Sequence, residues 1–163
     1  MLSDLCFSDL LLDVPTSVGK WAVVGQVRPA TSQTIYQTDW VGSWANESET
    51  KSIDEAYNTG PVVEGEITVE GIKEETRIIA IPVVHNGKPI AVLTREWIEK
   101  TGRRPGELER AYGEVFGNFV RMIADGTFPF PQRAGDSSSA PRVGDGVMWL
   151  DGNAQVQYVS PNA

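Results

Sequence analysis

The sequence predicts an α+β domain in which helices from the two ends of the domain pack on one face of an antiparallel β-sheet, while a short helix and loops cover the other. Three observations lead there. Arg77 to Arg95 holds two β-rich runs around Asn86-Gly87, the pair that most readily takes the positive φ angles of a type I′ hairpin turn. Those runs, Ile78 to Val84 and Ile90 to Leu93, are almost continuously apolar, as in strands covered on both faces. Pro105 to Asp125 carries the clearest helical pattern in the chain.

In chain order, Leu2, Leu5, Cys6 and Phe7, then Leu10 to Leu12, recur at roughly helical spacing until Pro15 and predict a first helix. It lacks a capping residue before its first apolar position, as though a longer helix had been cut. Cys6 falls on the apolar face as a small core residue rather than a reactive thiol, since no neighbouring basic residue in the sequence would lower its pKa. Trp21 to Arg28 predicts a strand stopped by Pro29, and Thr34 to Gly42, with Tyr36 and Trp40, predicts a second strand paired with it.

Ser43 to Gly60 mixes Trp44, Ile53, Ala56 and Tyr57 with Glu47, Glu49, Asp54 and Glu55. Ser52 is placed to cap a short helix ending at Gly60-Pro61, with Asp54 and Glu55 in the first turn, where the helix dipole favours negative charge. The acidic run then forms a solvated face, and its spacing matches no carboxylate metal loop. Glu66 to Val69 predicts a short strand between turns at Gly65 and Gly71.

In the long helix, Pro105 suits the first helical position, Glu107 and Glu109 lie in the positive first turn, and Gly126 with Pro129 is a stop signal. Leu108, Tyr112, Val115, Phe119 and Met122 are spaced as a helix-pairing seam and are the candidate dimer interface. Ala111, Phe116, Val120 and Ile123 widen the stripe, so the helix needs cover on more than one side. Gly113 and Gly117 beside it suggest close approach of another backbone. Residues 130–143, rich in Pro, Ser and Gly, predict a linker, and the division expected is a domain at 1–128, a linker at 129–143 and a further unit beginning at 144. Val147 to Leu150 and Val156 to Val159 predict a terminal hairpin, which alone is marginal in water, so the polypeptide is expected to continue past Ala163.

The net charge of −8, with only Arg103-Arg104 adjacent among the basic residues, disfavours nucleic acid and anionic membrane surfaces as partners. One cysteine excludes an internal disulfide, a CxxC redox pair and a cysteine-built zinc site, and fits a reducing, cytoplasmic compartment. No apolar run approaches the ~20 residues that span a bilayer, and the start lacks the order of a signal peptide. His85, the only histidine, sits beside a hairpin turn and is expected to be solvated rather than a catalytic base. Neither a P-loop nor a dinucleotide fingerprint occurs, so no catalytic residue is assigned. The aromatics Tyr36, Trp40, Trp44 and Tyr57, with Arg28, Asp39 and Arg77 as polar groups, are candidate ligand-binding residues.

Ala80-Ile81-Pro82-Val83-Val84, Asn86-Gly87-Lys88 and Pro89-Ile90-Ala91-Val92-Leu93 together resemble the central hairpin of GAF domains. With Leu93-Thr94-Arg95, Gly106 to Tyr112, Met122 to Pro129 and Pro141 to Gly146, the chain resembles the N-terminal sensor region of cytosolic actinobacterial two-component histidine kinases of the PdtaS type. The likeness extends to Gln26-Val27-Arg28-Pro29 and Thr38-Asp39. It implies a GAF-like sheet followed by the opening strands of a PAS domain at 144–163, with no cofactor in this part and ATP and Mg used by a kinase core outside it. It implies further a cytoplasmic homodimer, an RNA-binding response regulator as partner of the full-length kinase, and a small-molecule or nucleotide ligand. A ligand-free dimerisation spacer is the alternative. The phosphoacceptor histidine of such kinases lies on a helix of the core, so His85 cannot stand for it. Some members carry GAF cysteines suited to metal or redox sensing, and the corresponding stretch here has none.

Overall fold

In the computed structural model, residues 2–99, 102, 104–128, 146–160 and 163 are described. The first helix, α1, is short, Leu2–Cys6, and Phe7 at φ 53° turns the chain into a strand, β1, at Asp9–Pro15. The expected helix through Leu12 is therefore half strand. Leu10 belongs to a core cluster with Leu5 and Tyr112, whereas Leu11 belongs to one with Val23 and Ile78. Adjacent leucines serving two cores on opposite sides is strand geometry, because side chains there alternate from face to face.

Strand β2 spans Trp21–Val27 and pairs antiparallel with β1. Thr34 to Gly42 is not the expected second strand but irregular chain. Near its end the backbone follows β2 only loosely, through Gly42 N–H to Val23 O at 2.8 Å and Ala45 N–H to Trp21 O at 3.0 Å. One edge of β2 is already taken by β1, and the freed loop instead dips inward to bury Tyr36.

Helix α2, Glu47–Thr59, begins five residues before the expected cap at Ser52. Asn46 is the cap: its side chain accepts from Glu49 N–H at 3.0 Å while Glu49 Oε2 accepts from Asn46 N–H at 3.0 Å, a reciprocal capping box. Gly60, at φ 91°, closes the helix as expected. The strand expected at Glu66–Val69 is shifted N-terminally, to β3 at Val63–Ile67.

Strands β4, Thr76–His85, and β5, Lys88–Ile98, form the expected hairpin, with Asn86 at φ 51° and Gly87 at φ 73° in the turn. The sheet order is β2-β1-β5-β4-β3, with every pair antiparallel. Helix α3, Glu107–Ala124, packs with α1 on one face, where Tyr112, Val115, Phe116 and Ile123 meet Leu5, Leu10 and Ile81. Helix α2 covers the other face, through Ile53 and Ala56 against Ala80 and Val92. Gly65 of β3 permits this approach, since a Cβ there would lie 2.6 Å from Ser52 Oγ.

The terminal hairpin has strands β6, Met148–Leu150, and β7, Val156–Val159. The expected linker at 129–143 lies outside the described residues.

Candidate functional site

Alternation along β5 sorts its polar residues. Thr94 and Glu96 point to the α2 face, Arg95 between them to the α1/α3 face. Asp9 of β1 stands directly across from Glu96 in the β1–β5 ladder, so both side chains share the α2 face, and Asp13 lies two inward positions further along β1. Glu49, in the first turn of α2, completes a group of four acidic residues, each at most 5% exposed. The acidic run in Ser43 to Gly60, expected to be solvated, thus sends one member into the interior.

Tyr36 is the hub. Its hydroxyl donates to Glu96 Oε2 and lies 3.5 Å from Glu49 Oε1, linking the sheet to α2. Thr94 Oγ1 donates to the other Glu96 oxygen at 2.8 Å. Asp9 accepts from the Thr34 hydroxyl at 2.5 Å and from Ile35 N–H at 2.8 Å, which ties down the loop that carries Tyr36. Asp13 Oδ1 is buried with no hydrogen-bond partner among the described residues.

Among the described residues no lysine or arginine forms an ion pair with any of the four acids. Carboxylates buried without counter-charge hold their protons more tightly. Burial, then the charge of Glu96, pushes Asp13 up to about 7. Burial pushes Glu49 up to about 7, against the Asn46 amide that favours its charged form and with Asp13 adding to the rise. Glu96 rises to about 8 through burial and then Glu49, although its bonds from Tyr36 and Thr94 oppose the rise. Asp9 is raised by burial, with Thr34, the Ile35 amide and Arg28 acting the other way. Burial and the neighbouring carboxylates raise the Tyr36 phenol as well, so it stays a donor.

The cluster can take up and release protons near neutrality, and any motion of α2 or the Tyr36 loop alters its hydrogen bonds. It holds no nucleophile paired with a base. Among the described residues no three His, Cys, Asp or Glu side chains are arranged to hold a metal ion.

The structure brings only part of the predicted ligand set together. Tyr36 is in the cluster, and Trp40 packs on its ring at 5.5 Å. Arg28 and Asp39 line a small open cavity of about 260 Å³ with Gln26 and Val27. Trp44 is 49% exposed with Lys20 over its ring, and Tyr57 meets the edge of Trp21 at 5.0 Å. Arg77 lies on the opposite sheet face, 3.2 Å from Glu66. Of the seam residues, Tyr112 and Val115 are buried inside the chain, Phe119 packs against Phe128, Met122 is half-buried, and Leu108 is 44% exposed.

His85 is exposed, as expected. Cys6 is buried and its thiol is pushed up to about 11. A basic residue does lie near it, Arg95, but burial outweighs that charge. Sequence reasoning missed Asp9, Asp13, Glu49, Thr94 and Glu96. The available signal was polar residues at inward positions of a strand, Thr94 and Glu96, continuing an apolar run.

An antiparallel sheet with terminal helices on one face, and a helix and loop closing over a polar interior on the other, defines a GAF-type sensory domain. Residues 1–115 match the family described as Histidine kinase PdtaS, GAF domain, and the chain belongs to that family. It is 36% identical to the sensor histidine kinase PdtaS of Mycolicibacterium smegmatis (strain ATCC 700084 / mc(2)155), over 100% of this chain and 33% of the relative. The corresponding protein of Mycobacterium tuberculosis (strain ATCC 25618 / H37Rv) is 35% identical with the same coverage. The chain thus spans a third of the length of these relatives. Among solved structures, a sensor region of a sensor histidine kinase superposes with a TM-score of 0.75 at 35% identity, covering 99% of this chain and 54% of that chain. The GAF-B domain of DevS from Mycobacterium smegmatis, at 13% identity and a TM-score of 0.50 over 77% of this chain and 83% of that one, shares the fold.

Proposed function

We propose that this chain is the signal-input and dimerisation module of a cytoplasmic two-component sensor histidine kinase. A small ligand engages the α2 face, between the sheet and residues 43–75, and shifts that segment. The observation that carries this reading is the Tyr36 hydroxyl placed between Glu96 on the sheet and Glu49 on α2. An acidic cluster without counter-charge costs stability, and apolar residues would fill the same space more favourably. Its presence at the joint between the α2 cover and the sheet fits a role in switching.

The signal has a path to the other face. Glu96 adjoins Arg95, whose guanidinium donates to Cys6 O and Ser8 Oγ and stacks 5.4 Å from the Phe116 ring of α3. A shift of β5 therefore reaches both α1 and α3, biasing two arrangements of a dimer. The full-length protein then autophosphorylates with ATP and Mg and passes the phosphoryl group to an RNA-binding response regulator.

Thermal melting of the chain against nucleotides, cyclic dinucleotides and divalent metal ions tests the ligand claim. A stabilising ligand raises the melting temperature by mass action, and Tyr36→Phe reduces that rise. If no compound moves the transition, the ligand-free spacer reading replaces this one.

A further inference from the structure

The α1/α3 face carries a second feature that the ligand-sensing reading does not use. A groove of about 510 Å³ lies where the α1–β1 turn, the end of β5 and the start of α3 meet, within the size range of small-molecule sites. Arg95 lines it, with Trp97, Phe7 and Pro105 as apolar residues, Ser32 and Gln33 as polar ones, and Glu109, whose Oε2 accepts from Gly106 N–H at 2.8 Å, as the one acidic residue among the described lining.

The guanidinium is held firmly and is only partly spent. Its Cζ lies 4.3 Å from the Trp97 ring centroid and 5.4 Å from that of Phe116. Nε donates to Ser8 Oγ and Nη2 to Cys6 O, both at 3.1 Å. A guanidinium has five N–H donors, so the edge shared by its two terminal nitrogens keeps unspent donors. None of its nitrogens is both buried and unpartnered, so those donors are reached from the groove. Both acceptors are neutral, and among the described residues no carboxylate pairs with Arg95. Burial works against its charge, Cys6 and the Glu64 carboxylate offset part of that effect, and a bound anion would offset more.

We infer that this groove is a binding site for a small oxyanion, a carboxylate or phosphate carried on a flat apolar body. The anionic group accepts two parallel N–H bonds from Arg95, and the body lies against Trp97 and Phe7. The site is on the sheet face opposite the acidic cluster and touches both helices through which a signal leaves, so its occupant would act on output without entering the α2 side.

Benzoate and phenyl phosphate are the probes, with benzylamine as the cationic control, read on the Trp97 indole N–H resonance of the full 163-residue chain. Saturable shifts with both anions, or with one of them, are expected at millimolar concentration, and the pair separates carboxylate from phosphate preference. Gly113→Leu fills the groove without touching Arg95. A Cβ at Gly113 meets nothing within 4 Å, and the same holds at Gly117 one turn on, which does not line the groove. Gly113→Leu should weaken binding by about ten-fold or more and Gly117→Leu by less than about two-fold, and Arg95→Gln should weaken it by about ten-fold or more. The assignment is overturned if neither anion binds up to tens of millimolar, if benzylamine binds as well, or if Gly113→Leu binds like the unaltered chain. Because the anion site and the α2-side ligand are read on different resonances and variants, failure of one leaves the other standing.

Discussion

Asp9 and Glu96 face each other across the β1–β5 ladder, two acidic side chains at neighbouring inward positions of a sheet interior. Like charges placed directly opposite destabilise a sheet, and this pair is relieved by protons, by the donors that Thr34, Ile35, Thr94 and Tyr36 supply, and by the charge of Arg28.

Stability should therefore fall as pH rises. Below about pH 3 these acids are protonated in folded and unfolded chains alike. Above that the unfolded chain ionises first, while Asp13 and Glu49 wait until about 7 and Glu96 until about 8. Their contribution is complete at the acid end and is lost as pH climbs through those values. Urea denaturation between about pH 5 and pH 8 measures the slope, and Glu96→Gln should flatten it. A Glu96→Gln chain with an unaltered slope would remove Glu96 from the cause.

Tyr36→Phe keeps the ring against Trp40 and removes only the donor to Glu96. A loss of about 1 to 3 kcal/mol is expected in urea unfolding, with the Glu96 carboxyl, followed by NMR, titrating still higher. An unchanged titration would mean that the hydroxyl does not support the charged form.

Gly65→Ala places a methyl against the Ser52 hydroxyl, which must rotate away, and should cost about 1 kcal/mol. Combining it with Ser52→Ala removes the closest atom and should recover most of the loss. A double-mutant cycle showing simple additivity would refute the contact as the cause.

The dimer proposal needs an exposed position. Val115 is buried against α1 and the sheet, so Val115→Asp should cost more than about 3 kcal/mol and report on folding instead of assembly. Leu108, 44% exposed, can be changed to Asp with the melting transition kept, and sedimentation should then show a monomer. A dimer that survives Leu108→Asp takes the first turns of α3 out of the interface.

The hairpin and α3 were legible because their signals are local: a turn pair that tolerates positive φ, and an apolar stripe with a glycine stop. β1 was not. Three consecutive leucines fit a helix as well as a doubly covered strand, and only the distant partner β5 decides between them. The acidic cluster went unseen for the same reason. Asp9 and Asp13 sat in an expected helix, and Glu49 in an acidic run whose other members do face water. Tyr36 was singled out as a polar aromatic, yet its partners come from β5 and α2, 60 and 13 residues away. No local pattern encodes such meetings.

The place of β1, between β2 and β5, has a consequence for the order of assembly during synthesis. Ser8 and Arg95 are 87 residues apart, so at typical ribosomal rates the first strand waits roughly 4 to 17 seconds for the partner that completes it. Throughout that interval Asp9 and Asp13 stay hydrated and ionised, charges that keep a nascent hydrophobic segment soluble. The groups that strain the finished interior thereby guard the unfinished chain against aggregation.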